Sequence, residues 1–141
     1  GSEPDVKDVG VSGGYFVQPT ILIDVPRESD AWQKEIFGPV ISVRSFSSEE
    51  DAIMEANSTA FGLASTVMSS NPSKAMRVAN KIRAGAVFAT STGEGFLAEH
   101  PAVSRGGFGC SGIGRELGIL GLHEYTELKS VNYSGFSIAD A

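Results

Sequence analysis

Cysteine is nearly absent from this 141-residue chain. Cys110 stands alone, so no internal disulfide can form. Such sparing use fits a reducing compartment, the cytoplasm or an organellar matrix. Runs of basic residues are missing too. The 11 Lys and Arg are outnumbered by 17 Asp and Glu, for a formal charge of −6. A nucleic acid or an anionic membrane surface is therefore not an expected partner, because each needs a basic patch. No apolar stretch approaches the ~20 residues of a membrane-spanning helix. No signal-peptide pattern is visible at the start, where Gly1-Ser2 reads as a tag-cleavage scar. Histidine is scarce: His100 and His123 lie far apart with no Cys or carboxylate at ligand spacing, so no metal site is expected. Internal repeats and low-complexity tracts are also lacking. What remains is ordinary globular material, 41% apolar and 20% charged, long enough for one domain with a core.

Residues 3–13 are polar and glycine-containing, a loop. Residues 15–25 are rich in β-branched and aromatic side chains and broken at Pro19, which predicts one or two short strands. Ser29-Asp30 before Ala31-Trp32-Gln33-Lys34 suits one capped helical turn. Residues 39–46 read as a strand with Val40, Ile41 and Val43 as its apolar part. Ser47-Ser48-Glu49-Glu50-Asp51 then opens a helix, with serines for the cap and carboxylates for the first turn. Ala52, Ile53 and Ala56 form its apolar face. A strand over 63–68 follows Gly62. Ser70-Asn71-Pro72-Ser73 starts a second helix with Ala75, Met76, Ala79 and Ile82 buried, ended by Gly85. Residues 86–90 form another strand. The spacing predicts a βαβαβ unit, most economically one parallel sheet. The glycine-rich stretch 91–112 reads as a long loop, 113–125 as a helix weakened by Gly118 and Gly121, 128–133 as a terminal strand, and the end as a frayed tail.

Chemistry concentrates in Glu35-Ile36-Phe37-Gly38-Pro39-Val40. A carboxylate and an aromatic ring stand two residues apart beside a Gly-Pro turn. Glu35 suits a ribose diol as a hydrogen-bond acceptor, and Phe37 suits packing against a nicotinamide ring or its ribose. The plainer alternatives are an exposed helix-end carboxylate and a core phenylalanine.

EIFGPV resembles the cofactor motif of the aldehyde dehydrogenase superfamily. Three further stretches match that family's pattern in its order. They are Gly14-Tyr15-Phe16-Val17-Gln18-Pro19-Thr20, then Ala56-Asn57 with Phe61-Gly62-Leu63-Ala64, and finally Gly106-Gly107, Ser111-Gly112-Ile113-Gly114-Arg115-Glu116, Gly121-Leu122, Tyr125 and Lys129. The resemblance implies an α/β fold, the three-layer parallel-sheet half of the family's catalytic domain, with a C-terminal helix and an oligomerisation strand. The implied boundaries are 1–13 for the scar and loop, 14–127 for the C-terminal part of the catalytic domain, 128–134 for the strand that joins a homo-oligomer, and 135–141 for a tail. The implied activity is oxidation of an aldehyde to a carboxylic acid with NAD or NADP, through a cysteine thioester hydrolysed by glutamate-activated water. Nucleophile, general base and Rossmann segment belong upstream in the family, so the chain alone is expected to be inactive, with weak cofactor binding or none. Its own share would be Glu35 and Phe37 at the cofactor, with Phe96 and Arg105 in the wall of the substrate funnel.

Departures cluster at the substrate end. The family's VWVN strand is Val87-Phe88-Ala89-Thr90, its PFGG is Ser104-Arg105-Gly106-Gly107, and its next lysine is Gly109. Arg105 suits an anionic or highly polar aldehyde, or else points to solvent, which is the plainer expectation. Cys110 lacks a neighbouring His and reads as an ordinary free thiol. The glycines around it lack the strand and lysine of a phosphate-binding loop. Trp32 reads as a packing anchor, and Arg115-Glu116 as structural. A second reading is a stand-alone, non-catalytic module for interaction or self-assembly, resting on the edge strand and the altered substrate loop.

Overall fold

Two separate pairs of parallel strands, rather than one sheet, organise the chain in the computed structural model, which describes residues 15–92 and 100–135. In chain order the elements are β1 (Thr20–Ile23), α1 (Asp30–Gln33), β2 (Val40–Val43), α2 (Glu49–Ala56), β3 (Ala64–Met68), α3 (Pro72–Ala79), β4 (Ala86–Thr90), a 3-10 turn (Gly109–Ser111) and α4 (Gly118–His123). β1 pairs with β2 in the register Thr20 opposite Val40, and β3 pairs with β4 in the register Ala64 opposite Ala86. The α/β class and the parallel strands agree with expectation. The single βαβαβ sheet does not form, because β2 and β3 share no ladder. Periodicity predicts a strand but not its neighbour.

Local chemistry sets the helix starts. Ser48 caps α2 by accepting from the Asp51 backbone N–H at 3.1 Å. Three carboxylates fill the first turn of that helix, where the helix dipole favours them. Asn71 caps α3 in the same way through Lys74, with Pro72 at the first helical position. Ser29 precedes α1 without capping it; its hydroxyl donates back to the Pro26 carbonyl. α3 packs across β3 and β4 and buries Ala75.

Gly85 does not terminate a helix, since α3 ends at Ala79 and Asn80 caps it. Its role is close approach: a Cβ there would meet the Gly106 carbonyl oxygen. Around it three distant segments join through backbone hydrogen bonds. The Gly62 carbonyl accepts from the N–H groups of Gly85 (3.0 Å) and Phe108 (2.9 Å), and the Ala60 carbonyl accepts from Cys110 at 2.9 Å. The helix expected over 113–125 is cut to α4. Gly114, Leu117 and Gly118 all take positive φ, and Arg105 pairs with Glu116 in an antiparallel bridge instead. Residues 128–133 join neither sheet.

The core is thin. Among the described residues only Val25 and Ala75 are buried apolar side chains. On the β1–β2 sheet, Ile21, Ile23, Ile41 and Val43 share one exposed face, paired across the strands as Ile21–Ile41 and Ile23–Val43. Apolar residues on both faces are the mark of a parallel strand covered on both sides.

Polar ties supply what packing does not. Among the described residues Glu55, on α2, is the buried charge. It accepts from Arg27 and from Arg44 (Nε at 3.2 Å), and Arg44 also donates to the Val25 carbonyl. The segments that follow β1 and β2 are thereby fastened to one helix. The Arg27 guanidinium, with Arg44 beside it, holds the Glu55 carboxyl below the usual carboxylate range. Arg77 on α3 does the same for Glu49 on α2 through a two-point pair at 2.6 and 2.7 Å.

Two outcomes follow for stability. Gly85→Ala is expected to cost about 2 kcal/mol or more, as over-packing against backbone does. Gly38→Ala, with nothing within 4 Å of its Cβ, costs less than about 1 kcal/mol. Urea unfolding of both variants checks this, and equal costs would refute the close-approach role. Both paired glutamates titrate lower when folded, so they stabilise above the ordinary glutamate range and that contribution is lost as pH falls through it, from ~4.3 downward. Thermal melts across that range should show the wild type losing more than Glu49→Gln does; parallel losses would speak against the linkage.

Candidate functional site

The segment that carries Glu35 and Phe37 is a loop, residues 34–39, between α1 and β2. Its far end is fixed where the Thr20 N–H donates to the Pro39 carbonyl at 2.9 Å. Within it the Gly38 N–H reaches Ile36 and the Val40 N–H reaches Gly38, both at 2.8 Å. Its near end is α1. Trp32 Nε1 donates to Ser58 Oγ at 2.9 Å, and Gln33 Nε2 donates to the carbonyls of Arg27 (2.8 Å) and Ser58 (3.2 Å). Ser42 Oγ donates to the Ala31 carbonyl at 2.8 Å. The Arg44 guanidinium lies 5.4 Å from the centre of the Trp32 ring. Trp32 is the expected packing anchor, with a polar tie added.

Glu35 stands at the edge of a cleft of about 580 Å³ that runs between the two sheets, with Trp32, Ser42, Phe61, Ser65 and Arg83 among its lining. Phe37 is 93% exposed and lies outside that lining. Thus the loop brings the two residues together in sequence while they face different surroundings. Among the described residues neither the Glu35 carboxylate nor the Phe37 ring has a hydrogen-bonding, ionic or ring partner.

The other motif residues are occupied. Asn57 donates to the Lys81 carbonyl at 2.9 Å and accepts from the Arg83 N–H at 2.7 Å, so it holds the turn between α3 and β4. Ser111 Oγ accepts from the Gly62 N–H at 3.0 Å. Arg115 Nη1 donates to the Gly114 carbonyl at 2.7 Å, its guanidinium lies over the Phe108 ring, and its N–H meets Glu124. These contacts make the third and fourth motifs one joint in the fold, and they agree with the structural reading of Arg115.

Arg105 is exposed and borders a second cavity, about 290 Å³, lined also by Phe88, His100, Val103 and Leu117. An arginine beside apolar walls can receive a polar or anionic group, or solvent. Phe96 lies outside the described residues. Cys110 is an exposed free thiol whose N–H is used in the backbone joint. Among the described residues no group of three or more His, Cys, Asp or Glu side chains is placed to hold a metal ion, and no helix is long and apolar enough to cross a membrane.

Sequence reasoning did not single out Glu55 or Ser58. One signal was present for Glu55: it falls one helical turn after Ala52 and next to Ala56, a charge beside an apolar stripe. For Ser58 no local signal pointed to α1, since the partners it holds there lie 25 and 26 residues away.

The aldehyde dehydrogenase family profile matches residues 2–131. An aldehyde dehydrogenase of Aspergillus niger is 46% identical over 120 residues, which cover 85% of this chain and 23% of that protein. An NAD(P)+ aldehyde dehydrogenase of Saccharomyces cerevisiae is 44% identical over 88% of this chain and 24% of its own length. Among solved structures, Mycobacterium tuberculosis aldehyde dehydrogenase complexed with NAD+ superposes with a TM-score of 0.80 at 35% identity, covering 96% of this chain and 26% of that one. Betaine aldehyde dehydrogenase of Staphylococcus aureus, also in complex with NAD+, gives 0.73 at 39% identity over 89% of this chain and 23% of that one. The chain therefore spans about a quarter of the length of the relatives it matches. With the four motifs in order, a parallel α/β frame and this match along nearly its whole length, the chain belongs to the aldehyde dehydrogenase family.

Proposed function

We propose that this chain is the C-terminal part of an NAD(P)-dependent aldehyde dehydrogenase, and that it supplies one wall of the cofactor site. The observation that carries the reading is the unused state of Glu35 and Phe37. Asn57, Ser111 and Arg115 are spent on holding the fold, whereas these two side chains are presented without partners, Glu35 on an open cleft and Phe37 to solvent outside it. An unpaired carboxylate is a two-lobed acceptor suited to the vicinal hydroxyls of a ribose. An exposed ring suits the flat, partly apolar face of a nicotinamide. The relatives in complex with NAD+ support the same choice of ligand.

The bound dinucleotide would take up the hydride that the aldehyde loses. What this chain's residues do is bind and orient: Glu35 fixes the ribose, and Phe37 limits the ring's freedom. The thiolate that attacks the aldehyde, the base that activates water and the main nucleotide-binding segment lie in the remaining three quarters of the polypeptide. The exposed Ile21, Ile23, Ile41 and Val43 face supports this division, because it asks to be covered by more protein. The aldehyde itself is a polar or anionic one if Arg105 faces it. Leu128, Val131 and Tyr133 are exposed as well, and they serve as the apolar contacts of a homo-oligomer in this reading.

Two measurements test it. In the complete enzyme, Glu35→Gln is expected to lower kcat/KM for the cofactor about 10- to 100-fold, the worth of a charged hydrogen-bond pair. An unchanged value would remove Glu35 from the site. The 141-residue chain alone is expected to yield no aldehyde-dependent reduced cofactor, and any steady production would overturn the assignment of the nucleophile to the rest of the polypeptide.

A further inference from the structure

We infer that Glu55 is a positioning residue for the loop that carries Glu35 and Phe37, an inference that rests on the cofactor reading for its consequence but not for its geometry. The loop itself is weakly restrained. Its internal bonds are two short-range ones, from Gly38 to Ile36 and from Val40 to Gly38. The helix before it, α1, is a single turn without a side-chain cap, and a turn of that length has no stability of its own. Its place is set from outside.

That outside support converges on the end of α2. Ser58 holds α1 twice, through Trp32 and through Gln33, and its own hydroxyl donates to the Glu55 carbonyl at 2.7 Å. The Glu55 carboxylate holds the other two sides. It fixes Arg44, whose guanidinium covers the Trp32 ring, and it fixes Arg27, whose carbonyl receives Gln33. Thus the face of Trp32, the edge of Trp32 and the amide of Gln33 all trace back to residue 55 within two steps. Trp32 and Gln33 are in turn two or three residues from Glu35. Glu55 touches no part of the loop and acts only through these neighbours.

The carboxylate's charge is what matters. A glutamine at 55 keeps the shape but accepts on one oxygen, and it takes from two half-buried guanidinium groups the carboxylate that pairs with both. Arg44 then keeps only its bond to the Val25 carbonyl, and the cover over Trp32 loosens.

The test uses the intact polypeptide and two readouts. In Glu55→Gln, amide hydrogen exchange over residues 31–37 is expected to quicken about tenfold, while α3 and β4 keep their rates. Trp32, the chain's single tryptophan, should shift its emission to longer wavelength as its cover loosens. Ser58→Ala removes the ring's acceptor and its tie to the Glu55 carbonyl while leaving the Glu55 carboxylate in place; it should loosen the same residues, and Ser58→Thr should restore them. This pair carries the test if Glu55→Gln does not fold. Unchanged exchange over 31–37 in these variants overturns the inference. A cofactor KM raised about tenfold in Glu55→Gln with kcat retained supports it. If Glu35→Gln weakens cofactor binding and Glu55→Gln does not, the positioning role is refuted. If the loop loosens but neither variant alters cofactor binding, the positioning role stands and the cofactor reading falls.

Discussion

The pairing of Glu55 with Arg27 and Arg44 is the constraint on which the first half of the molecule depends. Burying a carboxylate is costly unless its oxygens are met by donors, and here both are. Arg27 follows β1 and Arg44 follows β2, at the same end of the parallel pair, so one side chain on α2 ties that end to the helix. A sheet of two strands with one bare face has little else to locate it. The second half is built differently. There Gly62, Gly85 and Phe108 meet backbone to backbone, and the absence of a side chain at two of those positions is what permits it.

These two devices divide the family's motifs into two kinds. Asn57, Gly62, Ser111 and Arg115 close the fold by satisfying particular backbone groups. Glu35 and Phe37 close nothing; they cost the chain exposure of a ring and gain it nothing internally. In the proposed cofactor reading, residues of that second kind serve something outside the chain.

Much of the local structure was legible in the sequence because its causes are local. Ser48 and Asn71-Pro72 announce α2 and α3, and the β-branched runs give β1 through β4 to within a few residues. The misjudged elements have non-local causes. Gly85 looks like a helix stop, yet its glycine answers to Gly106, more than a turn of chain away in another segment. The helix over 113–125 fails because Gly114, Leu117 and Gly118 adopt positive φ while Glu116 pairs with Arg105. The absence of a β2–β3 ladder is invisible to any pattern of apolar residues. At the site the same division holds. The candidates Glu35 and Phe37 come from six consecutive residues, whereas the contacts among Glu55, Ser58 and Trp32 depend on partners brought together only by folding.

The strand pairings also bear on how the chain acquires its shape. Each sheet joins segments close in sequence, Thr20 to Val40 and Ala64 to Ala86, with a helix carried between them. Both are therefore local β–α–β units with short loop closures. The bonds that join Phe108, Cys110 and Ser111 to Gly62 and Ala60 reach across both strands of the second unit in sequence. During synthesis the first unit emerges complete before the second begins, so the half that carries Glu35 can take form without waiting for the glycine-rich joint behind it.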